Sequence, residues 1–176
     1  MLVQEVHLPS VMAQTCQQFT WLVLMDDAMT PEYIRQQMEI YRQRCAVMQV
    51  LYLPPLEDIS AFYHQLAFQY AGPQKYVLTT RLDNDDVIAD TYIEQIQTSA
   101  RQVSQVPSVI SFPHGVQIFL RDKVALDLHW RANHFVSLLE TIDEHTHTVF
   151  DFDHVQVEKV MPITEKETTL PAWGEV

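Results

Sequence analysis

Basic residues are scarce in this 176-residue chain, where 11 Lys and Arg stand against 23 Asp and Glu and the formal net charge is -12. That balance repels phosphate backbones and anionic membranes. It excludes an unaided nucleic-acid role and means that any anionic substrate needs a local cation. Cysteine is scarce as well. Cys16 and Cys45 are the only two, no secretory signal is recognisable, and both thiols are expected as core residues of a protein of the reducing cytoplasm. No apolar run approaches the ~20 residues of a membrane span. Internal repeats, low-complexity tracts and linkers are also missing. What is present is 47% hydrophobic content with a charged fraction of 19%, enough for one domain with a sizeable core.

Strand and helix signals alternate along the chain, which predicts an α/β fold. "PSVMAQTCQQ" reads as a short helix opening on Pro9, and "FTWLVLM", Phe19 to Met25, as a buried strand running into Asp26 and Asp27. "TPEYIRQQMEIYRQR" predicts a helix with Thr30 as N-cap and Pro31 as its first residue, placing Ile34, Met38 and Tyr41 on one face. "AVMQVLYL" is a second strand. Ser60 then starts a helix with Phe62, Leu66 and Tyr70 as its apolar stripe. "KYVLTTRL", Lys75 to Leu82, is a third strand, expected parallel to Phe19–Met25 in one sheet, and Asp90 is expected to cap the helix "TYIEQIQTSAR". "SVISF", "VQIFL" and "VALDL" look like antiparallel strands joined by tight turns, so the sheet is expected to be mixed and flanked by helices.

At the carboxyl end of the third strand stand Asp83, Asn84, Asp85 and Asp86. Three like charges so close together repel, and a folded chain offsets this with water, a helix N-terminus or a cation. An EF-hand loop would use Asp83, Asp85 and Glu94, but its sixth position must be Gly and here it is Ile88, with Val87 at the fifth. Helix capping explains Asp86 or Asp90, yet one cap needs one side chain. The remaining reading is a hard divalent cation, which prefers carboxylate oxygens and bridges them to substrate phosphates. Open parallel sheets bind ligands at this end of their strands.

"LPSVMAQTCQQFTWLVLMDDAMTPE" followed by "YVLTTRLDNDDVIADTYIEQIQ" resembles the rhamnosyl transferase family of bacterial GT-A-type nucleotide-sugar glycosyltransferases. The similarity continues more weakly through "SFPHGVQIFL", "NHFVSLLE", "TVFDFDH" and "LPAW", and so spans most of the chain. It implies a GT-A-like mixed sheet flanked by helices, a nucleotide-sugar donor, a glycan or other hydroxyl acceptor, and manganese or magnesium held on the donor diphosphate by an Asp-x-Asp signature. Carried over, Asp85 is the metal ligand, with Asp83 and Asp86 on the ribose, a metal-bound water or the metal itself. Arg81 is a candidate phosphate contact, or simply the partner of Asp83. Asp26, Asp27 and Asn84 are candidates for donor binding, with a solvated turn as the plain alternative for the first two.

An inverting transfer also needs a carboxylate to take the acceptor's proton. Glu140, after what reads as an apolar helical stretch, is the first candidate, with Asp143 and Glu144 as rivals and a helix-surface role as the alternative. "EHTHTVFDFDH" leaves three readings open: a separate zinc site drawn from His145, His147, Asp151, Asp153 and His154, a solvated polar strand, or His154 as an additional ligand of the donor metal. The family has sequence ahead of its Pro-Ser-x-x-x-Gln-Thr block, whereas only "MLVQEVHL" precedes Pro9 here. The expectation is a single domain, 1–176, lacking the first nucleotide-binding strand and open to self-association along the exposed edge. A non-catalytic carbohydrate-binding or assembly module on the same fold is the alternative function.

Overall fold

In the computed structural model, residues 6–152 and 161–175 are described. A short helix α1 (Leu8–Met12) leads into β1 (Trp21–Asp26), α2 (Glu32–Arg44), β2 (Met48–Leu53), α3 (Ile59–Ala71) and β3 (Tyr76–Thr80). The acidic turn then passes into β4 (Val87–Ile88) and α4 (Tyr92–Ala100), followed by β5 (Ser108–Ser111), β6 (His114–Phe119), β7 (Val124–His129) and β8 (Ser137–Thr141). A 3-10 turn, Val149–Asp151, precedes β9 (Ile163–Glu165) and β10 (Trp173–Glu175). The chain is therefore mixed α/β, and none of its described helices is long and apolar enough to cross a membrane.

The strands form three sheets rather than one. Among the described residues, β1 pairs only with β2, in parallel. β3 lies at the edge of a second sheet of order β3-β8-β5-β9, and β4-β10-β6-β7 is the third. The expected parallel arrangement of β1 and β3 in one sheet is thus corrected. "NHFVSLLE", read as helical, contributes β8 instead, whose residues Ser137 to Thr141 pair antiparallel with Thr80 to Tyr76 on one edge of β3, while no described strand pairs with the other. β6 and β7 do form the expected hairpin. β5 does not join it, because the chain breaks at Phe112 and Pro113, and β5 pairs instead with β8 and β9. Proline has no N–H to continue a ladder.

The caps shift by a residue or more from their expected positions. Pro31, extended at ψ 152°, is the N-cap of α2, and Thr30 instead donates its hydroxyl to the Asp26 carbonyl. Asp58 caps α3 by accepting from Ala61 N at 2.9 Å, two residues before Ser60. Asp90 does not cap α4. Thr91 is its N-cap without a side-chain bond, and the free Ile93 N–H is met from far along the chain by Gln14 Oε1 at 3.0 Å.

Three apolar clusters hold these layers. Met38, Tyr41 and Cys45 of the α2 region pack with Leu8, Val11 and Met48. Tyr92, Ile93 and Ile96 on one face of α4 pack with Ile110, Phe112, Phe135 and Trp173. Val109, Val136, Leu138 and Val149 form the third. Leu82, just after β3, touches the first two clusters, so the residue that leads into the acidic turn is anchored on both sides. Of the expected α3 stripe, Leu66 is buried while Tyr70 is 37% exposed.

Candidate functional site

The acidic turn is clamped at its base and exposed at its tip. Arg81 reaches Asp83 with two bonds, Nε to Oδ1 and Nη2 to Oδ2, both 3.1 Å. Asp86 N donates to the Asp83 carbonyl at 3.3 Å and closes the turn. Asn84 and Asp85, between them, are exposed.

Asp86 turns inward and is only 5% exposed. Its Oδ2 lies 3.2 Å from His134 Nε2, and the other ring nitrogen of His134 faces Glu175 at 3.5 Å. The bond to Asp86 is the main reason the His134 pKa is raised above its ordinary value; the charges of Asp86, Glu175 and Asp83 add to it, and partial burial opposes. On the backbone side His7, 3% exposed, donates from Nδ1 to the Asp86 carbonyl at 2.7 Å. Burial dominates at His7 and lowers its pKa. One aspartate is therefore held through its side chain by an imidazole whose pKa is raised and through its carbonyl by one whose pKa is lowered.

Downstream, β4 is locked by β10, which runs antiparallel to it and parallel to β6. Trp173 in β10 stacks on Phe135 at 4.8 Å and donates Nε1–H to the Phe112 carbonyl at 2.7 Å. Gln14 bonds the Ala89 carbonyl at 2.7 Å, so the turn is tied at both ends. Beside it, Ala89, Asp90, Thr91 and Gln95 face Glu167 to Pro171 across a cleft of about 390 Å³.

A family model described as "Putative rhamnosyl transferase" matches residues 1–172. The chain belongs to that family. A search of curated proteins finds no match to it.

The other candidate positions of this rhamnosyl transferase family member are placed as follows. Asp26 and Asp27 serve their own turn: Asp26 Oδ1 accepts from Met29 N at 2.7 Å, and Asp27 pairs at 2.9 Å with Arg35, whose guanidinium lies 4.2 Å over the Tyr52 ring. Glu140 is buried inside β8, accepts from Thr141 N at 2.8 Å, and stands opposite Val77. That position is three residues, ~10 Å along the strand, before the end of β3 at Thr80. Asp143 lies beyond the end of β8, accepting from His145 N at 2.7 Å. Glu144 and His145 are mutually paired and almost fully exposed. Asp153 and His154 lie outside the described residues.

The His and Asp residues that do converge are His147 and Asp151, joined by His64 from α3. Sequence reasoning missed His64, as it missed His7, His134 and Glu175. Only His134 sits in a segment quoted for the family resemblance, and each of the four is recruited by a partner more than 40 residues away in the chain. For Asp83, Asp85 and Asp86 no comparable convergence of three ligand atoms occurs among the described residues.

Proposed function

We propose that this chain is a metal-dependent glycosyltransferase that moves a sugar, rhamnose by the family's description, from a nucleoside-diphosphate donor to a hydroxyl acceptor. The observation that carries the reading is the acidic turn, with exposed Asp85 at its tip and a buried, anchored Asp86 at its base. Manganese and magnesium take oxygen ligands, keep several waters, and bind through one or two carboxylates plus substrate phosphates. A turn that presents Asp85, with Asp83 beside it, fits that demand without a closed protein cage.

In this reading Asp85 is the principal ligand and Asp83 the second. Asp86 positions the turn, because His134 engages its carboxylate. The Arg81–Asp83 pair is part-exposed and such pairs contribute only ~0.2–1 kcal/mol, so a diphosphate can draw the guanidinium to itself. Asn84 sits at the tip for a donor contact. When bound, the cation neutralises charge that develops on the leaving diphosphate. His154 as an additional ligand and Asp26 or Asp27 beside the nucleoside belong to the same proposal. Glu140, with Asp143 as its rival, stays the candidate for the base, which must lie within hydrogen-bond reach of the acceptor proton. The cleft beside the turn supplies polar groups for a sugar hydroxyl, among them Thr168, whose Oγ1 is buried without a partner among the described residues. Self-association along the edge of β1 that no described strand pairs also belongs here.

The test is turnover. The manganese-loaded chain is incubated with nucleoside-diphosphate sugars and hydroxyl acceptors, and release of the nucleoside diphosphate is measured. Release that requires the metal and falls ~100-fold or more in Asp85→Asn is expected, the loss typical of removing a charge-stabilising group. Donor binding without release would instead identify a carbohydrate-binding module.

A further inference from the structure

His64 on α3 and the pair His147 and Asp151, which follow β8, come together although 83 residues separate the first from the second. Their ligand atoms all lie within 4.8 Å of one another. His64 Nε2 is 2.9 Å and His147 Nδ1 3.9 Å from the same oxygen, Asp151 Oδ2. The two imidazoles meet edge to face at 5.8 Å and 78°.

The carboxylate is fixed before any ion arrives. Its Oδ2 accepts from Thr148 N at 2.6 Å and Thr148 Oγ1 at 3.2 Å, and its Oδ1 accepts from the Ser60 hydroxyl. Hydrogen bonds of this kind orient a ligating carboxylate. Tyr63 stacks on Phe150 at 4.3 Å and 11°, and Val149 N donates to Thr79 Oγ1 at 2.9 Å, so α3, the 3-10 turn and β3 are held in register around the three side chains. The Thr148–Asp151 capping box accounts for the carboxylate alone. It requires neither imidazole, and at 3.9 Å His147 stands too far from Oδ2 for a hydrogen bond.

We propose that His64, His147 and Asp151 form a zinc-class metal site, built from different residues than the acidic turn and independent of its function. Two imidazoles and one carboxylate are the ligand set of a borderline-soft ion rather than of magnesium. With Zn–N near ~2.0–2.1 Å, tetrahedral ligand atoms stand about 3.3 Å apart; the 2.9 and 3.9 Å to Asp151 Oδ2 bracket that spacing, and the two imidazole ligand atoms lie within 4.8 Å of each other. His147 is 49% exposed, and a three-residue zinc site takes water or an external ligand as its fourth.

The test uses untagged protein stripped with EDTA and titrated with Co2+, followed by visible absorption and displacement by Zn2+. One equivalent should give the intense bands of a tetrahedral ion, be displaced by Zn2+ but not by excess Mg2+, and persist in Asp85→Asn. His147→Ala, at a half-exposed position that leaves the fold intact by circular dichroism, should weaken Co2+ binding at least ~10-fold, and His64→Ala likewise. Co2+ binding of equal affinity in wild type and His147→Ala, or no tetrahedral absorption at one equivalent, would overturn the proposal.

Discussion

His134 Nε2 stands 3.2 Å from Asp86 Oδ2, and both side chains are largely withdrawn from solvent at 16% and 7% exposure. This contact turns the last acid of the cluster away from its neighbours and leaves Asp85 at the tip. The like-charge problem posed by "DNDD" is thus solved in part by separation: Asp86 is matched by His134, Asp83 by Arg81, and one exposed carboxylate remains between them.

A stability maximum near the ordinary His pKa, about 6.5, follows from the opposite shifts of His134 and His7. His134 has a raised folded-state pKa, so its contribution is complete below the unfolded value and is lost as pH rises from ~6.5 through the folded value. His7 has a lowered one, so stability is lost as pH falls from ~6.5 towards its folded value. Thermal melts across pH in EDTA should show the peak, His134→Gln should flatten its alkaline side, and His7→Gln its acid side. A profile unchanged in both variants contradicts the assignment.

Gln14→Ala should destabilise the chain by about 1–3 kcal/mol, the cost of leaving a buried donor or acceptor unsatisfied. Its amide bonds Ser10 and Ala89 carbonyls and the Ile93 N–H. Urea unfolding measures the loss, and an effect within a few tenths of a kcal/mol would mean that water replaces these bonds.

Gly115→Ala should be more damaging than its size suggests. A Cβ there would fall 2.3 Å from the Trp173 ring, so β10 must move, and with it the pairing that holds β4. Overpacking costs typically ~1–3 kcal/mol. A lowered urea midpoint with altered tryptophan fluorescence is expected; an unchanged midpoint would show that β10 yields freely.

These positions also mark what the sequence conveys and what it leaves out. Apolar runs bounded by Pro and acid turns place most of the strands and the three longer helices, because period and punctuation are local properties. Family motifs carry the acidic turn by the same local logic. Sheet membership is not local: Ser137 to Thr141 reads equally well as helix or strand until β3 is seen to take its hydrogen bonds. The same holds for His134, Gln14 and His64, whose roles depend on partners 41 to 87 residues away.

Self-association is expected along the edge of β1 that no described strand pairs, since unpaired edges recruit strands and the net charge of -12 opposes indiscriminate aggregation. Sedimentation over a range of concentrations should show a defined dimer. Monomer throughout would contradict it.

The central claim is that Asp85 holds a hard divalent cation on a donor diphosphate. Calorimetric titration of a nucleoside diphosphate into the chain, with and without manganese, into wild type and Asp85→Asn, tests it most directly. The account predicts binding that needs manganese and weakens at least ~10-fold in the variant, with melts of the two metal-free proteins the same, as expected when an exposed charge away from structural contacts is neutralised. Binding of equal strength in Asp85→Asn, or without any metal, would contradict it.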